Sequence, residues 1–175
     1  IRLKMRQEYE DMMIKAIQYA KEFIESLRLE IEYVTVFEGE VESEKIWRDL
    51  GISKIEKRGK NDNFWGPTGK EGPCGPTTEV YIQGTEIWNI VFNESYQKAD
   101  GTLEKLKTSG VDTGMGLERL AMVSQGKRNI FETDLFKPLA GTLPENIDPR
   151  ISRIVLDHMK ASVFLIADGV RPSNK

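Results

Sequence analysis

Val111-Asp-Thr-Gly-Met-Gly-Leu-Glu-Arg-Leu120 sets one carboxylate, two glycines and one arginine where a strand gives way to a helix. Gly114 and Gly116 remove side chains where the backbone has to approach a ligand or another segment, and Leu117, Leu120 and Ala121 form the predicted buried face of the helix. An aspartate at a strand end accepts hydrogen bonds from an ammonium group, while an arginine forks onto phosphate oxygens or stacks on a flat base. The same residues also suit a glycine-rich turn in which Asp112 and Arg119 form a structural ion pair. The segment alone leaves both readings open.

Outward from this segment, Thr77 to Ile82 and Glu86 to Tyr96 read as strands, and Asp100-Gly101 marks a hairpin turn into Leu103 to Leu106. Strands joined by tight turns predict an antiparallel sheet. Towards the N-terminus, apolar residues at helical spacing predict a helix over Glu8 to Leu27, followed by a strand over Glu30 to Phe37. A short helix follows over Glu42 to Leu50, ended near Gly51, and Asn61 to Pro76 reads as a loop crowded with glycine and proline. Beyond the motif strand and helix of Gly110 to Ser124, a short helical piece spans Asp134 to Leu139. The last helix has Asp148 as N-cap and Pro149 at its first position, and stops at Gly169. Helices flanking a mostly antiparallel sheet define an α+β fold.

With 175 residues, 39% hydrophobic and 30% charged, the chain suffices for one globular core or a piece of one. A net charge of −3 argues against gripping nucleic acid by bulk charge, leaving local clusters such as Lys54, Lys57, Arg58 and Lys60, or Lys127 with Arg128. Each cluster also reads as a solvated loop or helix end. Cys74 is the single cysteine and His158 the single histidine, too few for an internal disulfide or a protein-built zinc site. A reducing, cytoplasmic location is expected. The apolar run Val163 to Ala167 is far too short to cross a bilayer, so no membrane partner is expected. The start at Ile1 and the stop at Asn174-Lys175 suggest a piece of something larger.

Alternation on the strand Glu86 to Tyr96 puts Ile87, Asn89, Val91 and Asn93 on one face, with Glu86, Trp88, Ile90 and Phe92 on the core face. An asparagine beside a valine is what a pocket for a small amino acid presents, the amide binding its polar head and the valine its methyl group. An ordinary half-exposed strand face has the same pattern. Trp65 in the long loop either walls such a pocket or pins the loop to the core. Cys74 has no sequence-adjacent base and reads as a packed thiol, and His158 as a satisfied helix histidine.

Three segments occur in order: Asp62-Asn-Phe-Trp65 with Gly72-Pro-Cys-Gly-Pro76, then Glu86-Ile-Trp-Asn-Ile-Val-Phe92, then Asp112-Thr-Gly-Met-Gly-Leu-Glu-Arg119. With Thr133-Asp-Leu-Phe136, Phe164-Leu-Ile-Ala-Asp-Gly-Val170 and Pro172-Ser-Asn174, the chain from about Met12 onward resembles the catalytic domain of the alanyl-tRNA synthetases, which are class II aminoacyl-tRNA synthetases. The resemblance implies an antiparallel sheet flanked by helices that binds ATP and alanine. It implies that Asp112 holds the alanine ammonium, that Gly114 keeps the pocket open, and that Asn89 adds a second polar contact. Val91 lines the methyl pocket and Trp65 closes its wall, while Arg119, with Gly116 beside it, binds ATP. Glu86 is implied as a help in holding Mg2+, although strict alternation puts it on the wrong face unless a bulge intervenes.

The implied reaction is formation of alanyl-adenylate and pyrophosphate, followed by transfer to tRNA(Ala). Such chemistry depends on positioning and charge neutralisation, with little need of a protein nucleophile. The family's first two motifs do not resemble Ile1 to Asp11, and its tRNA-binding and zinc-dependent editing domains are not matched. The expectation is therefore that residues 1–175 are an incomplete class II catalytic domain, associating with the remainder of the synthetase and activating alanine poorly alone. A different class of reading is a synthetase-like paralogue serving as a non-catalytic amino-acid or RNA binding module.

Overall fold

The computed structural model describes residues 2–67 and 69–173. Thr68 of the long loop and Asn174 of the Pro172-Ser-Asn match lie outside the described residues. The chain forms two compact units, residues 1–120 and 121–175.

The first unit begins with α1 (Arg2–Ser26), β1 (Tyr33–Phe37), α2 (Glu42–Asp49) and β2 (Ile55–Arg58). A single turn, α3 (Lys60–Asn63), leads into β3 (Phe64–Trp65), β4 (Gly72–Ile82), β5 (Thr85–Gln97) and β6 (Leu103–Met115). The strands run in the order β2-β1-β4-β5-β6, with β3 paired to β4. All these pairings are antiparallel except β1 with β2. The α+β layout expected from the sequence is therefore what the chain adopts.

One face of the sheet is the core. Met13, Ile17, Ala20 and Ile24 recur at three- and four-residue steps along α1 and are fully or almost fully buried, as are Val34, Val36, Val80, Ile90 and Phe92 of the strands. Trp47 of α2 is buried as well, and its indole Nε1 donates to Thr78 Oγ1 at 2.8 Å. Trp88 meets Phe23 of α1 edge-on at 5.6 Å and donates to Thr113 Oγ1.

Three local expectations change. Gly72 to Pro76, read as loop, is the start of β4, because β5 supplies partners at Gln97, Tyr96 and Ser95. A backbone without loop-breaking strain extends readily once a neighbouring ladder satisfies it. The basic cluster of Lys54, Lys57, Arg58 and Lys60, read as a solvated loop or helix end, has Lys57 and Arg58 on the edge strand β2, and its charge suits an edge that must not recruit another strand. Its cations are also engaged: Lys57 with Glu44 at 2.7 Å, Arg58 with Glu56 at 3.0 Å, and Lys54 with Glu32 at 3.5 Å. Leu103 to Leu106 and the motif strand are one continuous β6.

The helix α4 (Leu117–Ser124) follows β6 at once. Leu120 and Val123 are buried on it, whereas Leu117, expected on the buried face, is its first residue and 58% exposed. The second unit continues through a 3-10 turn (Ile130–Glu132), α5 (Lys137–Ala140) and α6 (Pro149–Ala167). Asp148 caps α6 through its Oδ1, which accepts the Arg150 and Ile151 N–H groups at 2.8 and 3.2 Å. Phe136 and Leu156 are buried in this unit, Phe136 against Phe131 with ring centroids 5.0 Å apart.

Candidate functional site

The sheet face opposite α1 carries the residues singled out by the sequence. Residues paired directly across antiparallel strands point to the same face. Thr35, Glu79, Asn89 and Gly114 are successive partners across β1, β4, β5 and β6. The neighbouring row is Thr77, Val91 and Asp112, and beyond it Asn93 pairs with Gly110. Asn89 and Asp112 thus share a face, offset by two residues on adjacent strands, a diagonal separation of about 7 Å between backbones. Gly114 lies opposite Asn89, and a Cβ added there meets open space.

Asp112 is exposed, and its Oδ1 accepts the Thr113 backbone N–H at 2.8 Å. The ion pair with Arg119 does not form. Arg119 Nη1 instead donates to Glu86 Oε2 at 2.9 Å and to the Glu86 carbonyl at 3.1 Å. Among the described residues, Asn89 Oδ1 is buried and accepts no hydrogen bond. Such a group costs stability in the free protein and calls for a donor.

Glu86 required the largest revision. Strict alternation assigns it to the core face, but the β4–β5 register shifts between Val80↔Trp88 and Tyr81↔Glu86, placing one extra residue, Ile87, in β5. The bulge inverts the alternation and returns Glu86 to the face of Tyr81, Glu79 and Asn89. Ile87, which alternation put beside Asn89, is the extra residue and is buried. Its carbonyl accepts the Gly116 N–H at 3.0 Å. Gly116 has a second effect: a Cβ there falls 3.2 to 3.4 Å from the Arg119 stem, so the absent side chain leaves Arg119 room to reach Glu86.

Beneath the site lies a polar network that the sequence did not reveal. Glu79 is buried, and its Oε2 accepts from Thr35 Oγ1 at 3.1 Å and from the Tyr81 hydroxyl at 2.9 Å. Asn63, fully buried in the α3 turn, donates from Nδ2 to Thr35 Oγ1 at 2.9 Å. Burial raises the Glu79 carboxyl above the ordinary carboxylate range, and the nearby Glu86 charge adds to the effect. Burial, with Glu79 beside it, pushes the Tyr81 phenol up to about 12. A glutamate in Thr77-Thr-Glu79 was the available signal, but its pairing with Asn89 is a matter of register.

Trp65 sits on β3 as the partner of Gly75 and is 38% exposed. Gly75 presses against β5: a Cβ there would lie 1.8 Å from the Phe92 carbonyl oxygen. Cys74 is the packed thiol expected, fully buried, with its ionisation suppressed chiefly by that burial. His158 lies on α6, in the second unit, beside Ile154, Met159 and Val163 in a shallow apolar groove. No helix among the described residues is long and apolar enough to cross a membrane.

Comparison with known proteins adds the context that geometry lacks. The family described as tRNA synthetases class II (A) matches residues 13–175. The chain is 37% identical to the alanine–tRNA ligase of Rubrobacter xylanophilus, over 92% of its own length and 24% of the relative's. It is 39% identical to that of Idiomarina loihiensis, over 92% and 22%. The alanine–tRNA ligase of Borrelia hermsii is 36% identical, over 91% of this chain and 34% of the relative. The chain thus spans between about a fifth and a third of the length of these curated relatives.

Proposed function

Because this chain belongs to the tRNA synthetases class II (A), we propose that it carries the amino-acid half of a site that activates alanine with ATP and transfers it to tRNA(Ala). The observation that carries this reading is the pair of acceptors on one sheet face. Among the described residues, Asn89 Oδ1 is buried without a donor, and the Asp112 carboxylate stands diagonal to it with no cation in an ion pair with it. An ammonium group supplies N–H donors to both at once. Val91, between Asn89 and Asn93 and opposite Asp112, receives the methyl group, Gly114 leaves the entrance clear and Trp65 walls the loop side.

Glu86, with Arg119 bound to it, lies along β5 on the side of Asn89 away from Val91, and this reading puts the nucleotide there. There the guanidinium would fork onto phosphate oxygens, and Glu86, turned to this face by the bulge, would offer a carboxylate oxygen of the kind Mg2+ prefers. When bound, Mg2+ neutralises phosphate charge. An alanine carboxylate oxygen then attacks the α-phosphorus of ATP, the bond to the bridging oxygen breaks, and pyrophosphate leaves. Asp112 and Asn89 hold the ammonium so that the carboxylate points towards Arg119. In the second step a ribose hydroxyl of the tRNA attacks the carbonyl carbon and AMP leaves.

The test is alanine-dependent ATP–pyrophosphate exchange by the full-length protein, with alanine binding followed by calorimetry. Asp112→Ala is expected to lower alanine affinity at least tenfold, the loss of a charge-assisted hydrogen bond, with the circular dichroism spectrum retained. Unaltered alanine binding in that variant would remove the assignment.

A further inference from the structure

An ammonium group carries three N–H donors, and Asn89 with Asp112 meets only two of them. The row that holds Asn89 offers one more acceptor. Glu79 is the β4 partner of Asn89, so the two side chains rise from one face with about 5 Å between their Cβ atoms, while Gly114 on the far side of Asn89 leaves open space. Glu79 is only 7% exposed, so an ionised carboxylate there is costly unless partners meet it. Its partners are one-sided. Among the described residues, the hydrogen bonds from Thr35 Oγ1 and the Tyr81 hydroxyl both end on Oε2. Oε1 accepts none and, unlike the Asn89 oxygen, is not sealed from outside. No described cation forms an ion pair with it either, because Arg58 is engaged by Glu56 and the Tyr81 hydroxyl, and Arg119 by Glu86.

We propose that Glu79 is a further binding residue for the amino-acid ammonium, its Oε1 accepting the third N–H from the β4 side while Asp112 accepts from the β6 side. This rests on the alanine-site reading above. Asn89 lies on the strand between the two carboxylates, so one cation above it faces both. A cation suits the place better than a neutral donor. Burial and the Glu86 charge disfavour the ionised form of Glu79, and a positive group set against Oε1 offsets that cost. Thr35 and Tyr81, by holding Oε2, fix the carboxylate before the amino acid arrives, so little ordering remains to be done on binding.

The test measures KM for alanine and for ATP in ATP–pyrophosphate exchange by the full-length protein, native, Glu79→Gln and Glu79→Asp, with thermal denaturation of each preparation. Glu79→Gln keeps the size and the acceptors and removes the charge, whereas Glu79→Asp keeps the charge on a shorter stem. Glu79→Gln is expected to raise KM for alanine about tenfold, the worth of a charge-assisted hydrogen bond, and to move KM for ATP by less than about twofold. Glu79→Asp is expected to retain more alanine affinity than Glu79→Gln, because the charge decides. A carboxyl with a purely structural role gives the opposite order, since the amide of equal size disturbs the network least. That order overturns the proposal, as does an equal rise in both KM values. Asp112→Ala separates this result from the site itself. Alanine affinity lost in Asp112→Ala but kept in Glu79→Gln overturns the role of Glu79 and leaves the alanine site standing, and affinity kept in both variants overturns both.

Discussion

Val91 and Asp112 are direct partners across β5 and β6, which sets an apolar and an anionic side chain side by side on one sheet face. Such a pair gains nothing from packing or from charge, since cross-strand stabilisation comes from like chemistry or opposite charge. In the proposed site a small zwitterion resolves the mismatch, with its ammonium against the carboxylate and its methyl against the valine. The same reasoning identifies which substitutions separate the site from the fold.

Gly114 faces Asn89 across the strands, has ordinary backbone angles for any residue, and has open space where a Cβ would stand. Gly114→Ala is expected to leave the fold intact or stabilise it by up to about 1 kcal/mol, as glycine replacement does at an unstrained position. The added methyl enters the space above Asn89, so KM for alanine is expected to rise at least tenfold. Thermal denaturation and alanine titration of the same preparation check both halves, and an unchanged KM counts against the pocket.

On the proposed reading, Arg119 serves the nucleotide and leaves the amino acid to Asp112 and Asn89. Its guanidinium is bound at 2.9 Å to Glu86, and both side chains are partly exposed, so the pair itself adds little stability. Arg119→Lys loses the planar fork while keeping the charge, and is expected to raise KM for ATP about tenfold or more with little change in alanine affinity. Equal losses for both ligands would place Arg119 outside the nucleotide contacts.

Gly75 is a purely structural requirement. A methyl group 1.8 Å from the Phe92 carbonyl oxygen cannot be accommodated without separating β4 from β5. Gly75→Ala is expected to cost more than about 3 kcal/mol, in the range of severe core disruption, measurable by urea denaturation. A variant of native stability would show that these strands pair differently.

Glu79 ties stability to pH. Burial holds its carboxyl above the ordinary value of 4.5, so the folded protein keeps a proton that the unfolded chain releases. The unfolded chain binds fewer protons in that window, and the contribution of Glu79 is fully present below pH 4.5 and lost as pH rises through its folded value. Glu79→Gln keeps acceptors for Thr35 and Tyr81 without the buried charge. It is expected to be more stable than the native protein at neutral pH and to lose that advantage on acidification below pH 4.5, followed by denaturant melts across the range. An advantage that grows with acidity would contradict the burial argument.

The amino-acid order by itself determined the α+β class, the motif strand and helix, the cap of α6 at Asp148 and the common face of Asn89, Val91 and Asn93. Each follows from periodicity or from a cap that acts within a few residues, and local chemistry suffices. The parts that span strands required the folded sheet. The partnership of Asp112 with Val91, the return of Glu86 to the site face through the Ile87 bulge, and the row joining Thr35, Glu79 and Asn89 all depend on register. Gly72 to Pro76 became strand, and Lys57 with Arg58 part of an edge strand, because neighbouring strands offered hydrogen bonds that no local pattern announces. Register is chosen by which pairing buries the core face of the whole sheet, and that choice belongs to tertiary structure.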